Sequence, residues 1–211
     1  MPIRRFFGWL SRILSKKKKL KVGLVGAPNS GKTTLANRLS MEWCGEEMGE
    51  VSSLPHETRV VQSKKCVTAR SGDYTLVVEL FDTPGLSTHE DLWDYYKYFL
   101  ELGWGKDKAD KRIDEARRGI SHTMELLGDL DVIVLVIDLH KDPGKQVCDI
   151  LIDLLDKRGI PLIIAANKID LIEDNPPTEE YTFLGHPVVP ISALHGTNMD
   201  WFYREVYRHL K

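Results

Sequence analysis

Apolar residues fall along this chain in two alternating rhythms. Nearly continuous runs such as LKVGLVG (20–26), DVIVLVIDL (131–139) and PLIIAANK (161–168) predict strands buried on both faces. Between them, apolar residues recur every three or four positions, which predicts helices over KTTLANRLSME (32–42), CDILIDLLDKR (148–158) and NMDWFYREVYRHL (198–210). VVQSKKCVTAR (60–70) and TLVVELF (75–81), joined by the turn signal Ser-Gly-Asp, predict a β-hairpin, and HPVVPIS (186–192) a short last strand. The charged stretch 89–129 places Leu92, Tyr95, Tyr96 and Phe99, then Ile113, Ala116, Ile120, Met124 and Leu127, at helical spacing. Strand–helix alternation of this kind predicts an α/β fold with a doubly wound, mostly parallel sheet and one antiparallel strand. Ligands of such sheets bind outside the carboxyl ends of the strands.

Charge divides the chain. The formal net charge is only −2, yet the first 21 residues hold eight Lys or Arg and no Asp or Glu. Residues 1–19 therefore read as a basic amphipathic N-terminal helix and 20–211 as the domain. On a helix Ile3, Phe6, Phe7, Leu10, Ile13 and Leu14 share one face, and four lysines follow. Three partners suit that face: an anionic membrane surface, RNA phosphates, or the chain's own domain. No apolar run reaches the roughly 18 residues of a membrane span. The basic N-terminus also lacks the apolar core and cleavage site of a secretory signal. Cys44, Cys66 and Cys148 stand far apart without CxxC spacing, which argues against a disulfide framework or zinc site and for a reducing compartment. The expected location is cytoplasmic, with peripheral membrane attachment through the N-terminal segment as the variant.

Every motif with chemical content sits at a strand's carboxyl end. GAPNSGKT (26–33) fits GxxxxGK[ST] between a strand and a helix. Its glycines let backbone N–H groups surround phosphate oxygens, and the helix that follows presents its positive end. Lys32 would reach the β- and γ-phosphates, and the Thr33 hydroxyl would bind Mg²⁺. In NKID (167–170) Asp170 would accept from guanine N1–H and the N2 amine, Asn167 would meet the other base edge, and the Lys168 stem would lie along the purine. Adenine lacks both donors, so the pairing selects guanine. In DTPG (82–85) Asp82 would hold Mg²⁺ through water and the Gly85 N–H would meet the γ-phosphate. Ser192, Ala193 and Leu194 could present the Ala193 N–H to guanine O6.

Taken in order, GAPNSGKT, a switch threonine, DTPG, NKID and SAL make residues 20–211 resemble a G domain of the translation-factor-related GTPases, in the Era and TrmE (MnmE) branch. The resemblance implies GTP and GDP contacts at Gly26, Ala27, Pro28, Asn29, Ser30, Gly31, Lys32, Thr33, Thr34, Asp82, Gly85, Asn167, Lys168, Asp170, Ser192, Ala193 and Leu194. It implies Mg²⁺ at Thr33, Thr58 and Asp82, and hydrolysis of GTP to GDP served by Lys32, Thr58, Gly85 and Asn29. Thr58 is chosen because Era-like proteins place the switch threonine directly before an arginine, as in Thr58-Arg59. Ser52, Ser53 and Thr68 are its rivals. Era carries a KH domain after its G domain, and this chain ends soon after its last helix, so no such domain is expected.

Leu86 follows the DTPG glycine, where Ras-like proteins carry a glutamine that orients the attacking water. Era-like proteins are also apolar there, so slow intrinsic turnover is expected. Asn29 has two readings: a ligand for K⁺, as in potassium-activated relatives, or a residue suited to an unusual backbone angle. Relatives with this asparagine can dimerise across their nucleotide sites. His89, Glu90 and Asp91 could steer water or simply be solvated. About 45 residues separate Gly85 from Asp131, and this long stretch reads either as a partner-docking switch helix or as aromatics packed on the domain. A molecular switch with slow turnover is the leading expectation. A membrane-recruited GTP-binding module with negligible hydrolysis is the alternative.

Overall fold

A computed structural model describes residues 19–49, 60–71, 74–87, 89–142, 146, 149–173 and 176–208. In chain order the elements are β1 (Lys19–Val25), α1 (Lys32–Cys44), β2 (Gln62–Ser71), β3 (Tyr74–Asp82), α2 (His89–Glu101), α3 (Lys106–Leu126), β4 (Val132–Asp138), α4 (Asp149–Arg158), β5 (Leu162–Asn167), β6 (Val188–Pro190) and α5 (Met199–Arg208). Short 3₁₀ turns cover Leu127–Asp129, Ile169–Leu171 and Thr178–Leu184. The sheet runs β2-β3-β1-β4-β5-β6. Among the strand pairs of the described residues, only β2–β3 is antiparallel.

The apolar runs are explained by helices on both faces. All seven residues of β4 and all six of β5 are buried. Alternation along β4 sends Val132, Val134 and Val136 to one core, with Leu35 and Leu39 of α1 and Phe202 and Val206 of α5. Ile133, Leu135 and Ile137 go to the other, with Leu151 and Leu155 of α4. Truncating one of these, as in Leu135→Ala, should cost about 2–5 kcal/mol. The charged stretch between β3 and β4 forms its own small core, in which Leu92, Phe99, Ala109, Ile113 and Ala116 pack with Tyr95, Tyr96 and Trp104. Aromatic packing thus accounts for most of that stretch, while Trp93, Tyr98 and Leu102 stay exposed. The turn between α2 and α3 is closed by hydrogen bonds from the Gly103 and Trp104 N–H groups to Leu100 O and Phe99 O, 2.9 and 3.0 Å.

Two expectations change. β1 begins at Lys19, one residue inside the segment assigned to the N-terminal appendage. Cys44 and Cys66 form a disulfide, with their Cα atoms 5.3 Å apart, against the expectation of unpaired cysteines. Their spacing in the sequence carried no sign of this. Cys44 ends α1, which packs on the sheet, and Cys66 is buried on β2. The argument from cysteine usage to a reducing compartment loses its ground. Residues 1–18, including the proposed amphipathic helix, and Cys148 lie outside the described residues. Among the described residues no helix is long and apolar enough to cross a membrane.

Candidate functional site

The carboxyl ends of β1, β3, β4 and β5 are in register, so loops distant in sequence meet at one edge. Leu24 pairs with Asp82, and Asp138 with Asn167. The loop from β1 to α1 turns through two glycines with positive φ, Gly26 at 144° and Gly31 at 96°. A Cβ at Gly26 would strike Val136 O, and one at Gly31 would strike the Asn167 amide, so the backbone here is packed too closely for side chains. Ala27, Pro28 and Ser30 complete the turn, and Lys32 folds back so that Nζ donates to Ala27 O at 2.7 Å. Asn29 takes φ 61°, a left-handed angle that asparagine tolerates, and is exposed.

Lys32 is 6% exposed. Burial pushes its ammonium pKa down to about 8, aided by Lys141 and opposed by the attraction of Asp82. A buried cation bonded to the carbonyl of Ala27 is an arrangement that a polyphosphate would relieve.

Thr33 and Asp82 meet, the hydroxyl donating to Asp82 Oδ2 at 2.8 Å. Asp82 is fully buried. Hydroxyl and carboxylate oxygen suit a hard divalent cation, and the two stand at the end of the loop that would hold the phosphates. Among the described residues no group of three or more His, Cys, Asp or Glu could hold a metal. A cation at Thr33 and Asp82 would therefore need phosphate and water oxygens to complete its shell. Gly85 lies against Pro28, where a Cβ would come 2.7 Å from the proline Cγ. The Leu86 N–H donates to Gly26 O at 2.9 Å, and its side chain packs on the second core. Thr58 and its rivals Ser52 and Ser53 lie outside the described residues, and Thr68 is placed in β2. His89, Glu90 and Asp91 open α2.

At the other end, Asn167 joins two loops. Its Nδ2 donates to Ser30 O at 2.9 Å, and its Oδ1 accepts from the Ala193 N–H at 2.9 Å. Lys168 has φ 70°. Asp170 sits on the turn that follows, its carboxylate 3.9 Å from His195 Nε2. Ser192 Oγ accepts from the His195 N–H at 3.1 Å and shapes the loop that carries Ala193 and the exposed Leu194. Thr34 lies on α1 one residue past Thr33 and is half-buried.

Several contacts that the motifs do not predict hold this site together. Lys168 Nζ is 2.7 Å from the buried Asp138 carboxylate at the end of β4. Gln146 fixes that strand end, accepting from the Asp138 N–H at 2.7 Å and donating to Asp138 O at 2.8 Å. The Thr83 hydroxyl donates to Leu24 O at 2.7 Å and locks DTPG to β1. The Asn37 amide accepts from the Met48 and Gly49 N–H groups and donates to Gly49 O, fixing the start of the segment that leads to Thr58. A carboxylate closing a buried strand was the one available signal, for Asp138.

Comparison with known proteins agrees with this arrangement. A family model described as 50S ribosome-binding GTPase matches residues 21–168. The chain is 31% identical over 195 residues to GTPase Era of Halothermothrix orenii, covering 90% of this chain and 55% of that protein. It is 31% identical over 202 residues to GTPase Der of Rickettsia bellii, covering 94% and 36%. The chain thus spans about half or less of the length of these relatives. In fold it is similar to a crystal structure of an Aquifex aeolicus Era variant bound to GDP·AlF4⁻, with TM-score 0.64, 23% identity, and coverage of 92% of this chain and 58% of that one. Matched across most of its length, with the matching motifs gathered at one sheet edge, the chain belongs to the 50S ribosome-binding GTPase family.

Proposed function

We propose that the chain binds GTP and GDP with Mg²⁺, hydrolyses GTP to GDP and phosphate, and works as a switch between the two forms. The observation that carries this reading is the Asn167 amide, which ties the phosphate loop at Ser30 to the base loop at Ala193. These two hydrogen bonds would hold the two ends of one nucleotide site together. Asp170 reads N1–H and the N2 amine of guanine, the Lys168 stem covers the purine, and the Ala193 N–H meets O6. The backbone N–H groups of 26–34, Pro28 excepted, and the Lys32 ammonium hold the phosphates.

In hydrolysis a water oxygen bonds to the γ-phosphorus while the bond from that phosphorus to the β–γ bridging oxygen breaks, releasing GDP and phosphate. Thr33 and Asp82 would hold Mg²⁺, which would supply charge neutralisation at the phosphates. Lys32 and the Gly85 N–H stabilise charge on the departing group. Leu86 offers the water no hydrogen bond and packs inward, so intrinsic turnover is slow. Thr58, supplied by the segment after Gly49, senses the γ-phosphate and makes the two nucleotide forms differ.

The test is displacement of a fluorescent GDP analogue from the full chain by GDP, GTP and ADP, with Mg²⁺ and with chelator. Displacement by both guanine nucleotides at concentrations at least about a hundredfold below that of ADP supports the reading. Equal displacement by ADP contradicts it.

A further inference from the structure

We propose that Arg38 is a positioning residue for guanine recognition, holding the 192–194 loop so that the Ala193 N–H is set against O6 of the base. The inference rests on the guanine-nucleotide reading above and assigns a role within that site to a residue outside its motifs.

Arg38 lies on α1, the helix whose first turn carries Lys32 and Thr33. Its guanidinium reaches across to the base loop, Nε donating to Ala193 O at 2.5 Å and Nη2 to Leu194 O at 2.6 Å. Two consecutive carbonyls are thus taken by one planar fork, which fixes the 193–194 and 194–195 peptide planes. The Ala193 N–H stands on the other side of that residue, anchored on Asn167 Oδ1 at 2.9 Å. An incoming O6 would share this donor, so its direction decides how well the base is read.

The loop is shaped to receive the fork. Gly196 has φ 78°, and a Cβ there would come 2.8 Å from Arg38 Nη1. Its own N–H closes the turn on Ser192 O at 2.7 Å. Arg38 is held from behind by Glu42, with Nη1 to Oε1 3.6 Å and both side chains 27% exposed. Glu42 in turn accepts the hydroxyl hydrogen of Tyr203 on α5. One helix therefore grips the phosphates with its N-terminus and the base loop with its second turn. A substitution in that turn should act on the base end of the nucleotide.

The test compares wild-type chain with Arg38→Met and Arg38→Lys, measuring Kd for GDP, for 6-thio-GDP (sulfur in place of O6) and for IDP (no N2 amine). The wild type should bind GDP more tightly than either analogue. Arg38→Met should weaken GDP about tenfold and 6-thio-GDP much less, so that the preference for O6 shrinks. The GDP-to-IDP ratio should hold, because Asp170 is untouched. Arg38→Lys keeps the charge but not the fork and should fall between. Equal weakening of all three nucleotides, or no change, would reduce Arg38 to a structural staple and overturn the inference. If Arg38→Met does not fold by thermal melting, the ratios of the lysine variant decide in the same way. Wild-type binding of GDP and 6-thio-GDP with equal affinity overturns the inference and leaves the guanine-nucleotide reading standing. Failure of the wild type to bind GDP overturns both.

Discussion

The Thr33 hydroxyl donates to Asp82 Oδ2 over 2.8 Å, across 49 residues of sequence. The first residue after the phosphate-loop lysine and the last residue of β3 are thus held together, as the proposed pair of hard oxygen ligands for Mg²⁺ requires. Thr33→Ala or Asp82→Asn should weaken Mg²⁺-dependent GTP binding by roughly tenfold to a hundredfold. GDP binding in chelator should change little. Titration of a fluorescent nucleotide with and without Mg²⁺ checks both statements. A loss of equal size in chelator would place the effect on folding instead of on the metal.

The Cys44–Cys66 disulfide closes a loop across the 22-residue separation that contains Thr58. Under non-reducing conditions the unfolded chain should therefore expose one alkylatable thiol, and reduction should raise the count to three. Reduction or Cys66→Ser should lower stability by roughly 3 kcal/mol, as expected for a loop of this length. Alkylation mass spectrometry and denaturant melts with and without reductant measure the two effects. Three reactive thiols before reduction would contradict the bridge.

Burial holds the Lys32 pKa down to about 8, against an ordinary value of 10.5. A lysine depressed on folding costs the folded state its full penalty below pH about 8. As pH rises from there to about 10.5 the folded chain sheds a proton that the unfolded chain keeps, and stability rises by up to about 3 kcal/mol from this residue. Polyphosphate raises the same pKa, so binding takes up a proton and GDP affinity should fall as pH passes about 8. Melts and GDP titrations across this range, compared with Lys32→Met, isolate the contribution of this lysine. A wild-type profile matching the variant's would contradict it.

The motifs were legible because each is local: the turn of 26–33, the carboxylate ending β3 and the NKID turn all act within a few residues of a strand end. β4 and β5 were legible because burial on both faces leaves no polar period. What escaped is long-range. Arg38 and Ala193 are 155 residues apart, Asp138 and Lys168 are 30, and Cys44 and Cys66 are 22, and nothing local in the sequence shows that the members of each pair meet. The basic N-terminal segment and Thr58 lie outside the described residues, so their roles stand on sequence alone.

Asn29 separates its two readings by substitution, since its φ of 61° suits glycine. If its amide holds K⁺, turnover should be faster in KCl than in NaCl at equal ionic strength, and Asn29→Gly should abolish the difference. If only the backbone angle matters, Asn29→Gly should behave as wild type in both salts. Phosphate release in the two salts reads the outcome.

The most direct measurement is phosphate release by the full chain from GTP and from ATP, with Mg²⁺ and with chelator. Slow, Mg²⁺-dependent release from GTP, with ATP left intact, is the expected result. Release from ATP at the same rate, or no release from GTP over many hours with nucleotide bound, would contradict the account.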